Sequence, residues 1–245
     1  MNLRQKQILQ RAECEGEITI KALADVLGVS EMTIHRDVDV LQKQRYVYKK
    51  RGAVVYIENA DRENTDFYAE EKRLIGIKAA SLIADGQSVI FDNSTTALEC
   101  AKYLDLSRKY TFYATGLETA AILSKYEKSV LYLSGGYYFP ASRGFVGAQA
   151  EAFVSSLKVD VCIVGASGVS VEDGITTPYP MHTPLQKAII AAAKTKILVC
   201  DHSKFDKVAM EKICELGDID VIVTDSEILE DTYQYYHQYV ELIKA

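Results

Sequence analysis

Apolar residues follow two regimes along this chain of 245 residues. Over the first 57 they recur at helical spacing. Leu3, Ile8, Leu9 and Ala12 outline one apolar face, and Cys14-Glu15-Gly16-Glu17 breaks it. Thr19 stands as an N-cap before Ile20, Leu23, Val26 and Leu27. Gly28 can take the left-handed geometry that ends a helix and turns the chain. Ser30 then caps a third helix with apolar positions at Ile34, Val38 and Leu41. Two short amphipathic helices meeting through a glycine turn predict a helix-turn-helix. Tyr46–Lys49 and Ala53–Ile57 read as strands around the basic turn Lys50-Arg51-Gly52, forming a wing.

Glu58 to Asp66 is polar, acidic and without periodicity, as an exposed linker would be. A helix follows, with Leu74, Ile75, Ile77, Ala79, Leu82 and Ile83 on its apolar face. From residue 88 the second regime begins. Short apolar runs at 88–91, 110–114, 130–133, 159–164, 196–200 and 221–224 alternate with helical segments near 95–104, 117–125, 147–156 and 184–194. Apolar strands separated by helices predict an α/β domain with a mainly parallel sheet. The expected organisation is a winged helix-turn-helix over 1–57, a linker over 58–70 and an α/β domain over 71–245. No internal repeat or low-complexity tract interrupts it.

Composition alters this picture little, whereas charge distribution sharpens it. Nearly half the residues are apolar and a quarter charged, as in ordinary globular chains. The net charge of −6 is unevenly placed. Residues 1–60 hold ten Lys/Arg against eight Asp/Glu, and residues 61–245 hold eighteen against twenty-six. A slightly basic module on an acidic body fits a nucleic-acid reader with a separate sensor. No apolar run approaches the roughly 18 residues of a membrane span, and the N-terminus has no signal-peptide pattern. The five cysteines are unpaired in spacing, which predicts buried thiols and a cytoplasmic protein. Four scattered histidines give no metal cluster. No cofactor is expected.

The outer face of the third helix carries the first candidate chemistry. Opposite Ile34, Val38 and Leu41 lie Met32, Arg36, Asp39 and Lys43, flanked by Ser30, Thr33 and His35. Hydroxyl, imidazole and guanidinium groups reach base edges and phosphates when such a helix enters the major groove of duplex DNA. Lys49, Lys50 and Arg51 on the wing would follow the DNA backbone. A protein-interaction module with a solvated charged face is the alternative.

The second candidate lies at the strand ends, where parallel α/β folds bind ligands. Asp92-Asn93-Ser94-Thr95-Thr96 precedes a helix whose first amides could hold an anion, or Ser94 could simply cap it. Asp92 would repel phosphate, so it is assigned to a sugar hydroxyl or to holding the loop. Thr115, Gly135, Gly136 and Gly165 follow the other strands. Asp201 and Lys204 stand after the run ending at Cys200, suited to hydroxyl and phosphate respectively. Thr183-Pro184-Leu185-Gln186 opens a helix and puts Lys187 on its first turn as a second phosphate cation. These loops together point to an anionic, hydroxylated small molecule.

Ser30-Glu31-Met32-Thr33-Ile34-His35-Arg36-Asp37-Val38, with Leu23–Val29 before it, resembles the recognition-helix signature of the DeoR family of bacterial repressors. The likeness runs through Asp92–Thr96 and Asp201–Phe205. It implies an effector domain similar in fold to ribose-5-phosphate isomerase, binding a phosphorylated sugar. Deoxyribose 5-phosphate, glycerol 3-phosphate and hexose phosphates serve across the family. The chain departs from the family at His35, where arginine is usual, and at Lys50–Ala53, where a Gly-Gly pair is commoner. It departs again at Ser94, in place of glycine, and at Gly116, in place of asparagine. Pro178, Tyr179, Pro180, Met181 and His182 replace the usual asparagine and acidic residues, and this segment is expected to shape effector choice.

The implied function is an effector-controlled repressor of a carbohydrate or nucleoside catabolic operon. It would bind operator DNA as a homodimer or homotetramer, since one module covers little DNA. Two alternatives stand beside it. Sugar-phosphate isomerisation needs a carboxylate base, and the loop at 165–169 has none. An interaction protein with a vestigial pocket would bind no sugar phosphate at all.

Overall fold

The computed structural model describes residues 2–43, 46–57 and 68–245. It forms two compact units, Met1–Phe67 and Tyr68–Ala245.

In the first unit, helices α1 (Leu3–Glu15), α2 (Ile20–Leu27) and α3 (Glu31–Lys43) pack with strands β1 (Glu17–Thr19), β2 (Val47–Lys50) and β3 (Ala53–Tyr56). Asn2 and Gln5 form a reciprocal capping box on α1, each side chain accepting from the other's amide at 2.9 Å. Thr19 accepts from Ala22 N at 3.1 Å to cap α2, and left-handed Gly28 ends it. Ile8, Leu23, Ile34, Val38, Leu41 and Val54 share the core. Val26, expected on the apolar face of α2, points outward, and Ala24 takes its place inside. The antiparallel sheet runs β1-β3-β2, the architecture of a winged helix-turn-helix.

Asp37 is a buried polar residue of this core, as is Gln5 beside it. In Asp37 the charge is buried as well. Its carboxylate accepts from Arg4 Nε, from Gln5 Nε2 at 3.0 Å and from Asn2 Nδ2 at 3.5 Å. Burial acts to raise its pKa, and these bonds, Arg4 foremost, outweigh burial and hold it below the ordinary value. The cluster ties the start of α1 to the middle of α3. Asp37→Ala is therefore expected to cost about 2 kcal/mol, chiefly by leaving buried donors without an acceptor. Thermal denaturation followed by circular dichroism checks this, and a melting curve identical to wild type would refute it.

The second unit begins with α4 (Ala69–Ser81). The expected linker over 58–70 falls mostly outside the described residues, and its last two residues, Ala69 and Glu70, already belong to this helix. Strands β4 (Ser88–Phe91), β5 (Thr111–Ala114), β6 (Val130–Leu133), β9 (Val159–Val164), β12 (Ala193–Val199), β14 (Val221–Thr224) and β15 (Glu241–Lys244) form one parallel sheet. Its order is β15-β14-β12-β9-β4-β5-β6. Alternate side chains along each strand enter opposite cores. Val89, Phe91, Val161 and Ile163 meet α4, α5 (Thr95–Lys102) and α6 (Leu117–Leu123). Ile90, Cys162 and Val164 meet α7 (Ala148–Ser155), α8 (Thr183–Ala192) and α9 (Glu230–Tyr236). Burial on both faces explains why β4, β9 and β14 read as unbroken apolar runs.

Two small antiparallel additions were not expected. Strands β7 (Tyr137–Phe139) and β8 (Gly144–Val146) form a hairpin. Strands β10 (Gly168–Ser170), β11 (Gly174–Thr177) and β13 (Glu211–Cys214) form a three-stranded sheet. Cys100, Cys162 and Cys200 are buried free thiols, and burial pushes Cys162 up to about 12. Among the described residues no helix is long and apolar enough to cross a membrane, and no side-chain group suits a metal ion.

Candidate functional site

The first candidate surface is the outer face of α3. Ser30 accepts from Thr33 N at 3.3 Å, and its hydroxyl lies 3.0 Å from that of Thr33. These two hydroxyls thus start the helix. Met32, Arg36 and Lys43 are exposed and His35 is half-exposed. Arg36 and Lys43 have no ion pair among the described residues. Lys49 is bound to Asp39 of α3, and its amide donates to Gln42 Oε1 at 3.0 Å, so the wing strand is fixed against α3. Lys50 reaches Glu17 at 3.4 Å. Both wing lysines are thus engaged by intramolecular carboxylates.

Arg51 forms the tip with Gly52. Lys50 pairs with Ala53, so Lys50 is the last strand residue and the turn has only two members. Both carry positive φ, 44° at Arg51 and 83° at Gly52. A two-residue hairpin turn of this type matches the strand twist and normally takes Asn-Gly or Gly-Gly. Arg51 is therefore held in a conformation that costs an L-residue about 1 kcal/mol. Arg51→Gly is expected to raise stability by up to about 1 kcal/mol while removing one cation from the wing. DNA affinity would fall and the slope of log K against log salt would lessen by about 1. A destabilised variant, or an unchanged salt slope, contradicts one half of that argument each.

The second candidate is a crevice at the C-terminal edge of the parallel sheet. After β4 the chain runs outward through β5 and β6, then returns to place β9 on the other side of β4. This reversal is a topological switch point, the position at which open parallel sheets bind ligands. Asp92, just past β4, spans the gap. Its Oδ1 accepts from Ser94 N at 2.9 Å and its Oδ2 from Gly165 N at 2.9 Å. Burial pushes its carboxyl up, against the Ser94 hydroxyl, the two amides and the Gln186 side chain that bond to it. Asp92 thus takes the loop-holding role of the two open to it.

Ser94 caps α5, its Oγ accepting from Ala97 N at 3.2 Å. A Cβ on Gly165 would lie 2.4 Å from the Ser94 Cβ, so glycine there is dictated by the close approach of the two loops. Thr95 is half-exposed and Thr96 buried at the start of α5, the turn whose amides a helix leaves over. Asn93 donates to Ser142 O at 2.6 Å, drawing in the turn Pro140–Ser142 between β7 and β8. Thr115 is buried and accepts at its carbonyl from Phe145 N at 2.8 Å. Gly136 lies against β8, where a Cβ would meet Val146 O at 2.4 Å, whereas Gly135 faces open space. Thr115 and Gly136 therefore serve to seat the β7–β8 hairpin.

On the far side of β9, Asp201 caps the short turn His202–Lys204, accepting from Ser203 N at 3.0 Å. His202 is pinned to buried Asp225, which accepts from its amide and meets its Nδ1, each at 2.8 Å. That bond raises the His202 pKa. Lys204 sits half-exposed on this fixed turn with no ion pair among the described residues. Helix α8 directs Gln186 to Asp92 and leaves Lys187 exposed about 100° further round. Gln186, not Lys187, is therefore the buried one of the two, and its side chain acts on the Asp92 carboxyl. Sequence reasoning also passed over Asp225, although it repeats a visible signal: Phe91-Asp92, Cys200-Asp201 and Thr224-Asp225 each place an aspartate at a strand end.

A major-groove reader joined to a sensor-type α/β domain is the build of a ligand-responsive transcription regulator. The family described as DeoR-like helix-turn-helix domain matches residues 4–60, and that described as DeoR C terminal sensor domain matches residues 68–226. The chain belongs to the DeoR family of DNA-binding transcriptional regulators. The transcriptional repressor AccR of Agrobacterium fabrum is 31% identical over 229 residues, which span 91% of this chain and 89% of AccR. The transcriptional repressor GlcR of Bacillus subtilis is 32% identical over 224 residues, 89% of this chain and 86% of GlcR. Ribose 5-phosphate isomerase A from Methanocaldococcus jannaschii superposes with a TM-score of 0.42 and 17% identity over 56% of this chain and 55% of its own.

Proposed function

We propose that this repressor senses a phosphorylated sugar at the β4–β9 switch point and reads operator DNA with α3 and the wing. The convergence of Asp92–Thr96, Gly165 and Asp201–Lys204 on one strand edge carries the reading. The first-turn amides of α5 and the Lys204 ammonium supply the donors and charge that a phosphate needs. Arg36 and Lys43 supply the free cations for DNA, with His35, Met32 and the wing alongside. Because one module covers about one half-site, the working form is a homodimer or homotetramer.

The domain acts as a sensor and not as an isomerase. Both oxygens of Asp92 are engaged by backbone amides, and the 165–169 loop carries no carboxylate, so neither offers a base at the substrate carbon.

Lys204→Ala tests the sensor. Removing a charge-assisted contact costs about 1.5–3 kcal/mol, so sugar-phosphate affinity should fall at least about tenfold. Affinity for operator DNA without effector should stay as in wild type. Titration calorimetry and fluorescence anisotropy read the two sides. Undiminished sugar-phosphate binding in the variant removes Lys204 from the site. Operator affinity that no bound sugar phosphate changes overturns the proposed control.

A further inference from the structure

Two buried polar atoms beside this crevice have no hydrogen-bond partner among the described residues: His182 Nδ1 and Gln186 Oε1. They stand four residues apart at the start of α8, hence one turn apart on the same face. Gln186 is close enough to Asp92 to act on its carboxyl, which places that face by the switch point. The other ring nitrogen of His182, Nε2, meets Ser142 Oγ, and the Ser142 carbonyl accepts from Asn93. The Phe139 and Tyr179 rings flank the imidazole, each with its centroid 6.2 Å away. Among the described residues neither a carboxylate nor a cation is hydrogen-bonded or ion-paired to it. Burial alone lowers its pKa to about 4, which leaves the ring neutral at ordinary pH.

Buried donors and acceptors in native folds find partners, because leaving them bare costs the full loss of hydration. Here the partner can come from a ligand. A phosphate brought to these atoms would be stripped of water with no cation paired to them among the described residues to repay it. Hydroxyl groups suit it: one can donate to Gln186 Oε1, and another can pair with whichever role the tautomer leaves to His182 Nδ1. The flanking rings would take the C–H face of a carbohydrate.

We infer that His182, Gln186 and Ser142 form the hydroxyl-reading end of the effector site, binding the uncharged polyol part of the ligand and setting which sugar is accepted. This rests on the proposal that the crevice binds a phosphorylated sugar. It leaves the phosphate itself to the α5 start and Lys204.

The test measures binding of inorganic phosphate, ribose 5-phosphate, 2-deoxyribose 5-phosphate, glucose 6-phosphate and 2-deoxyglucose 6-phosphate by calorimetry. The full chain is compared with H182N, Q186L and S142A, each first shown to melt cooperatively; S142A, at a half-buried position, guards against loss of folding in the other two. A site built to pair a hydroxyl rejects analogues lacking it strongly, so the variants should lose about tenfold or more for the preferred sugar phosphate. Preference over the deoxy analogue should collapse, while inorganic phosphate changes less than about twofold. Preserved selectivity in all three folded variants overturns this inference while leaving the sensor reading intact. Loss of inorganic phosphate in step with the sugar phosphate also overturns it, by placing the anion at His182. A wild-type chain that binds neither phosphate nor any sugar phosphate overturns the sensor reading and this inference together.

Discussion

Arg36→Ala is expected to weaken operator binding by about 1–3 kcal/mol per recognition helix, or roughly 5- to 150-fold. Arg36 is exposed on the side of α3 opposite the buried Ile34, Val38 and Leu41, the side proposed to face the groove. Alanine keeps the helix, so the loss reads recognition and not folding. Lys43, Lys49, Lys50 and Arg51 remain to attract the DNA backbone, and nonspecific binding should fall much less. The comparison is made by anisotropy, using a duplex that wild-type protein selects from a random library and a scrambled duplex of equal length. Equal loss on both duplexes would move Arg36 from base reading to phosphate contact, where the salt slope should lessen by about 1. Undiminished operator affinity would remove it from the interface. His35 next to it presents a smaller, half-exposed ring, so Arg36 is the guanidinium of this helix face.

Much of this was legible in the sequence wherever burial imposes a pattern. Strands β4, β9 and β14 are covered on both faces, and their apolar runs at 88–91, 159–164 and 221–224 stand at those bounds; the run at 130–133 also keeps its bounds, although β6 is a largely exposed edge strand. The helix-turn-helix was legible because Thr19, Gly28 and Ser30 punctuate it through local hydrogen bonds and backbone geometry. The strands β1, β7, β8 and β10 are three residues each, too short for any period to show. Strand β13 has Glu-Lys at its start and reads as a polar loop. Site residues divide the same way. Asp92, Asp201 and Lys204 follow strand ends, a rule that needs only one dimension. Ser142 and His182 come together from loops forty residues apart, because the β7–β8 hairpin folds over Asn93. No spacing announces such a contact. Lys187 stands out by its charge; helical phase leaves it exposed and turns its neighbour Gln186 inward.

The same distinction governs what a substitution at the switch point should do. Asp92→Asn keeps size and shape, yet it is expected to be the most damaging single exchange in the sensor domain. The carboxylate has two oxygens, and each accepts from a backbone amide, Ser94 N on one side and Gly165 N on the other. Asparagine has one oxygen and one NH2 group. Whichever way it turns, a donor faces a donor, in a position with almost no solvent access. One buried amide loses its acceptor and the new NH2 gains none, which together cost about 2–5 kcal/mol. The variant should melt well below wild type. The damage should not stop at stability, because Asp92 holds the β4 and β9 loops at the separation that Ser94 and Gly165 require. Where folded protein is recovered, sugar-phosphate binding should be weaker by at least about tenfold, on the scale expected for a loop misplaced by a fraction of an ångström. DNA binding by the first unit in the absence of effector should persist, since Asp37 and its partners stabilise that unit separately. Denaturant unfolding, calorimetry and anisotropy on one preparation separate the three. A variant as stable as wild type would mean that Asp92 does not hold the crevice open through its two amides, and the ligand-hydroxyl role first considered for it would return.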